Sequence, residues 1–204
     1  YEITYGDWSS DVCSSDLYDD DYVGCDVARG LGYTYNGDAN DGASALPTLG
    51  TYGANPPAIG MDFFEGPLAD IGDGEDNDRD GIIDESGEQI IMSKFVYYNN
   101  DFTVIGNPEN GTHFYNYLSG FWKDGTPFTY DGNAYGGTVT CDFMFPGDSD
   151  PQGWGTNFQP QAPWSEATVG NTPFDRRMLQ SAGPFTLQPG ARSEEHTSEL
   201  QSPY

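Results

Sequence analysis

The sequence predicts a mainly β fold, a loop-rich, β-sandwich-like domain with one or two short helices. Three observations lead there. Gly, Asn, Asp, Tyr and Thr are abundant while Lys is scarce. No stretch sustains the apolar period of a long amphipathic helix. Turn signals recur between short apolar or alternating runs, as they do when strands are joined by ordered loops.

Two segments are set apart before the elements are placed, because they resemble translations of a short sequencing oligonucleotide rather than folded protein. Residues 7–17 read DWSSDVCSSDL and residues 192–202 read RSEEHTSELQS. One oligonucleotide, read on opposite strands, encodes both. The expected organisation is therefore an uncertain leader over 1–17, a single β-rich domain over 18–191, and an adapter-derived tail over 192–204. Trp8, Cys13 and His196 then carry no functional argument, and the domain is expected to be truncated.

Within 18–191 the elements follow in order. Tyr22-Val23 and Leu31–Tyr35 read as short strands, with Asn36-Gly37 as a tight turn. Ala43–Pro57 is an ordered loop. Ile59–Phe64 is a strand closed by Gly66-Pro67. Ile90–Tyr98 (IIMSKFVYY) is the strongest apolar run, and its β-branched and aromatic residues favour a strand over a short helix. His113–Trp122 places Phe114, Tyr117, Leu118 and Phe121 at helical spacing. Thr138–Phe145 alternates like a strand, Phe174–Ala182 suits a short helix or strand, and Phe185–Leu187 begins a further strand.

Charge limits the function. The chain has 33 acidic and seven basic residues, a formal charge of −26. Such a balance excludes the counterion-displacing chemistry of nucleic-acid binding and docking on anionic lipid. The many aromatics argue against disorder, and no apolar run approaches the ~20 residues that span a bilayer. Cys25 and Cys141 remain once Cys13 is set aside. A disulfide and a pair of buried thiols are equally compatible with two cysteines.

The most informative segment is the acidic loop over 73–88, within DIGDGEDNDRDGIIDESGE (70–88). Asp76, Asp78 and Asp80 alternate, so short carboxylates can converge on one hard cation. Gly81 permits a sharp turn, the Ile82 carbonyl can add an oxygen, and Asp84 or Glu85 can close the shell. Ile83 is expected to anchor the loop on the core. Counting Asp76 as the first position, the twelfth is Gly87 rather than the bidentate Glu of an EF-hand. The pattern is more similar to the DxDxDGxxDE loops of thrombospondin type 3 repeats and related bacterial extracellular modules. Oxygen-only donors make Ca²⁺ the expected ion. Asp73 and Glu75 are candidates for a further ligand or a second ion.

Other motifs are weaker. Asp38, Asn40 and Asp41 in NGDANDG, and Asp148 and Asp150 in PGDSDP, read as turns. His113 is the sole histidine of 18–191, which leaves little material for a triad or a zinc site. Asn110-Gly111-Thr112 matches a glycosylation triplet and reads as a turn. Trp122, Tyr130, Tyr135, Trp154 and Trp164 could form a sugar-stacking platform. With Glu65, Asp124 or Glu166 they raise an alternative, a carbohydrate-binding or glycoside-hydrolysing domain.

Longer stretches, among them NPPAIGMDFFEGP, MSKFVYYNND, FWKDGTPFTYDGNAYGG and DRRMLQSAGPFTLQPGA, resemble large secreted or surface proteins of Bacteroidota of the type IX secretion kind. That resemblance implies an extracellular or cell-surface location and modular β-architecture, and transfers no catalytic residue. The combined expectation is a non-catalytic, calcium-stabilised module of adhesion or scaffold type. Its partners would be the calcium ion and either a glycan or another surface protein.

Overall fold

The computed structural model describes residues 20–41, 52–64, 66–187 and 189–190. Both adapter-like segments, most of the 43–57 loop, and Glu65 lie outside them. The fold is mainly β, with several small antiparallel sheets and two short helices. β1 (Asp21–Asp26) and β2 (Leu31–Asn36) form a hairpin in which Asp21 faces Asn36 and Asp26 faces Leu31. β5 (Ile59–Asp62) adds to the other edge of β2. β3 (Asn40–Asp41) and β4 (Gly53–Ala54) pair briefly at the side. β6 (Lys94–Asn99) pairs with β7 (Arg176–Ser181), so the chain between them supplies most of the loops.

The apolar run 90–98 is half strand. Only Lys94–Asn99 enters the sheet, and Phe95, Val96, Tyr97 and Tyr98 are all buried, which explains a continuous run where a half-exposed strand would alternate. Ile90 lies outside it and packs with Ala182 and Phe185 in a smaller second cluster. The strand expected over 138–145 does not form. Its backbone changes partner at each step: Cys141 N–H donates to the Phe128 carbonyl, Asp142 N–H to Gly155, and Met144 N–H to Phe95. The result is isolated bridges rather than a ladder. The expected strand start at 185–187 is likewise irregular, with Phe185 buried.

The predicted helix is shifted. α1 spans Gly111–Leu118, capped by Asn110, whose side chain accepts from the His113 N–H at 3.1 Å. It stops before Trp122, because Gly120 adopts φ +90° and the chain turns so that Trp122 N–H reaches the Thr126 carbonyl. Tyr117 and Leu118 are buried as their spacing suggests, whereas Phe114 and Phe121 stay exposed. A second helix, α2 (Glu166–Val169), is closed by a Ser165/Thr168 capping box.

Trp122 centres the core. It meets Tyr97 and Tyr117 edge-on, with ring centroids 6.0 and 5.7 Å apart, and Phe128 at 5.0 Å. Its indole N–H donates to the Ala134 carbonyl at 2.8 Å, so the ring's polar atom is satisfied within the core. Cys25 and Cys141 are free, buried thiols. Burial pushes the Cys25 thiol up, which suits packing rather than reactivity.

The two main sheets meet face to face at Gly32. A Cβ there would lie 2.2 Å from Gln180 Nε2 and 2.7 Å from the Phe95 ring. Gln180 cannot swing away freely, because its amide donates to the Met61 carbonyl across the interface at 2.9 Å. Gly32→Ala is therefore expected to cost about 1–3 kcal/mol by overpacking. Urea denaturation should show a lower midpoint with an unchanged slope.

Candidate metal centre

The acidic loop is tied at its base. Leu68 bridges Gln89, Ala69 N–H donates to the Glu88 carbonyl at 2.9 Å, and Ile90 N–H donates to the Pro67 carbonyl at 2.8 Å. Between these ties the alternation of residue types separates two jobs. Asp76, Asp78 and Asp80 bring carboxylate oxygens within 4.8 Å of one another. Asn77 and Arg79, between them, hold the loop to the body. The Asn77 carbonyl accepts from Ile91 N–H at 3.2 Å. The Arg79 guanidinium donates to the carbonyls of Met92 at 2.6 Å and Val27 at 3.2 Å. It also lies 4.9 Å over the Phe143 ring and 5.7 Å over Trp154.

A second triad overlaps the first. Asp78, Glu85 and Glu88 also place carboxylate oxygens within 4.8 Å of one another, so Asp78 is common to both groups. Glu85, one of the two candidate closing residues, falls in this second group. Asp84, the other candidate, belongs to neither group; its backbone sits at φ +60°, and its Oδ1 accepts from Gly74 N–H at 3.1 Å. Ile82 contributes an N–H to Asp80 Oδ1 at 2.8 Å while its side chain is exposed. Asp73 is engaged by Glu75 N–H and by the Asn77 amide.

Ile83 does not anchor the loop. It is 59% exposed, because the sharp turn at Gly81 (φ +95°) lifts the 82–83 pair outward. Arg79 takes that role instead. The sequence did carry a signal for it, as Arg79 is the lone base among the acids of 70–88. Glu88 carries a weaker one, lying three residues past Glu85. It is 6% exposed, and its Oε1 accepts from Asn77 N–H.

Backbone donors preorganise the carboxylates. Gly81 N–H reaches Asp76 Oδ2 at 3.1 Å and Asp80 N–H reaches Asp78 Oδ1 at 3.0 Å. Two buried oxygens are left over, Asp76 Oδ1 and Glu85 Oε2, which accept no hydrogen bond. The Glu85 carboxyl stands above its ordinary value. Its own backbone N–H pulls it down, but desolvation and the charges of Glu88, Asp78 and Asp80 outweigh that. Crowded carboxylates, oriented donors and orphaned oxygens together fit a metal ion. The donor set is all oxygen.

The other candidate residues are occupied structurally. Asp150 accepts from the N–H groups of Trp154 and Gly155 at 2.8 and 3.0 Å. Asp38 caps a turn through Asn40 N–H at 2.7 Å. Asp124 accepts from Thr126 and from the Tyr135 hydroxyl at 2.9 Å. Glu166 is fully buried against Arg176. Trp122 and Trp164 belong to the core, so a sugar platform would have to rest on Tyr130, Tyr135 and Trp154, which retain surface. Trp154 borders a cleft of about 510 Å³ that it shares with Asp76, Arg79 and Asp142. Among the described residues, no helix is long and apolar enough to cross a membrane. Compared with models of protein families, with curated proteins and with solved structures, the chain matches none.

Proposed function

We propose that the chain is a non-catalytic, calcium-stabilised extracellular module of adhesion or scaffold type, braced by a cation held in the 73–88 loop. The observation that carries this reading is the pair of carboxylate triads joined at Asp78, with Asp76 Oδ1 and Glu85 Oε2 left without hydrogen bonds. Calcium suits the site because it takes six to eight oxygens in adaptable geometry, whereas zinc and copper favour nitrogen and sulfur. Asp76, Asp78, Asp80 and Glu85 would hold the ion, and Glu88 would close it from the protein side. Calcium is plentiful outside cells, which agrees with an extracellular role.

Bracing follows from the connections. The loop meets the core through Arg79 and Asn77 and the second cluster through Ile90, so a cation joining its two halves links both. The carboxylates elsewhere support a non-catalytic reading, since Glu166, Asp150 and Asp124 are committed to hydrogen bonds that hold the fold.

Calorimetric titration of the full chain with Ca²⁺ should show binding, and melting should shift upward. Saturation at a hundred times Kd corresponds to about 2.7 kcal/mol. The double variant Asp78→Ala with Asp80→Ala should lose the loop's share of both signals. An absence of heat and of any thermal shift in the native chain would sink the reading.

A further inference from the structure

The start of β1 holds a second group of oxygens that the acidic loop does not explain. Asp21 and Asn36 face each other directly across the β1–β2 ladder, so their side chains share one face of the sheet. They are 1% and 8% exposed. Neither carboxylate oxygen of Asp21 accepts a hydrogen bond, and neither does Asn36 Oδ1. A buried carboxylate left in this way is costly, and the large majority of buried polar atoms in folded proteins are satisfied.

We propose that Asp21 and Asn36 form the heart of a second divalent-cation site, separate from the 73–88 loop and suited to Ca²⁺. The Asn36 amide supplies evidence independent of the acids. Its Nδ2 donates to Asp20 Oδ2 and to the Asp38 carbonyl, both at 3.2 Å. Those two bonds fix which end of the amide is nitrogen, and they hold the acceptor Oδ1 in place with nothing to accept from. A neutral oxygen held this way beside a bare carboxylate is a calcium-ligand pairing.

Among the described residues, acids outweigh bases around Asp21. Asp20, Asp175 and Asp41 all act on Asp21, and burial together with these three carboxylates pushes its carboxyl up to about 8. Arg176 opposes them, but its guanidinium is engaged with Glu166 at 2.7 Å. The flanking acids are themselves oriented. Asp175 Oδ2 accepts from the Asn100 amide at 2.6 Å, and Asp41 Oδ2 accepts from Tyr52 N–H at 2.5 Å. Glu166 shows the contrast, since that buried acid is matched by Arg176 and by Val23 N–H.

The competing account is that a proton, not a cation, neutralises Asp21. Calcium titration of the full chain separates the two, read by calorimetry and melting temperature. In Asp78→Ala with Asp80→Ala, a Ca²⁺-binding event and a Ca²⁺-dependent rise in melting temperature should persist. Adding Asp21→Asn should abolish that remainder. In the otherwise native chain, Asp21→Asn should lower the number of ions bound by one. Asn36→Asp keeps the site testable if Asp21→Asn does not fold. A cation site should bind Ca²⁺ about tenfold more tightly with the added charge, whereas a protonated cluster would only lose stability. The proposal is overturned if the folded loop variant neither binds Ca²⁺ nor shifts, or if the remaining binding ignores both Asp21→Asn and Asn36→Asp. It stands even if the loop variant binds as the native chain does, provided that Asp21→Asn removes an ion.

Discussion

Arg176→Met is expected to lower stability by about 3–5 kcal/mol, the range for leaving one member of a buried ion pair without its partner. Glu166 is fully buried, and the guanidinium meets its carboxylate through Nε at 3.0 Å and Nη2 at 2.7 Å. Arg176 also donates to the Thr172 carbonyl at 2.8 Å and lies 5.3 Å over the Tyr97 ring, so one side chain ties β7, α2 and the aromatic core. Adding Glu166→Gln should recover part of the loss, because a neutral amide still accepts from Val23 N–H at the position Glu166 now serves. The pH dependence has a definite sign. Burial pushes the Glu166 carboxyl up, and Arg176 is the first of the groups pulling it back. Without Arg176 the folded-state value rises further above the unfolded one. The folded protein then takes up the proton preferentially, so the deficit of Arg176→Met is larger at neutral pH and shrinks as the pH falls toward the ordinary carboxylate range. Urea titrations at pH 5 and pH 7 measure it. A deficit that grows on acidification would mean that Glu166 is not the buried partner.

Legibility in the sequence followed the range of the interactions. β1, β2, β5 and β6 were readable because short apolar or alternating runs between turn residues are local signals, and their ends fell within a few residues of the observed bounds. The Asp76, Asp78 and Asp80 alternation was readable for the same reason, since its geometry is set within five residues. The failures involve partners far along the chain. Residues 138–145 alternate like a strand, but Phe128, Gly155 and Phe95 each claim one of their backbone groups, which local pattern cannot reveal. Trp122 and Trp164 looked available for sugar stacking until tertiary packing placed them in the core. Glu166 looked like a spare acid because Arg176 is ten residues away and the Val23 N–H far upstream. Asp21 and Asn36 become neighbours only through the register of the hairpin.

Arg79→Met should have the second large effect, and it tests whether the loop's place on the core controls the ion. The substitution removes two charge-assisted hydrogen bonds, to the Met92 and Val27 carbonyls, and the stack on Phe143 and Trp154. Hydrogen bonds to charged groups contribute about 1.5–3 kcal/mol each. Water can reach part of this half-buried site, so a loss of roughly 3 kcal/mol in total is expected. The effect on calcium is the sharper test, because two influences oppose each other. Burial disfavours the charge on Arg79, yet Asp150, Asp142 and Asp76 favour it and keep the guanidinium positive. Removing a positive charge that Asp76 feels should by itself tighten calcium binding. Releasing the loop should weaken it, since Asp76, Asp78 and Asp80 would then have to be ordered by the ion rather than before it arrives. Arg79 reaches the core through its side chain alone and sits between Asp78 and Asp80, so the ordering effect is expected to win. The calcium Kd should rise about tenfold, the equivalent of 1.4 kcal/mol. Arg79→Lys should recover little, because an ammonium cannot span both carbonyls as the planar fork does. Calorimetric titration of the two variants decides the matter. Tighter binding in Arg79→Met would show that charge outweighs position and would remove Arg79 as the anchor of the site.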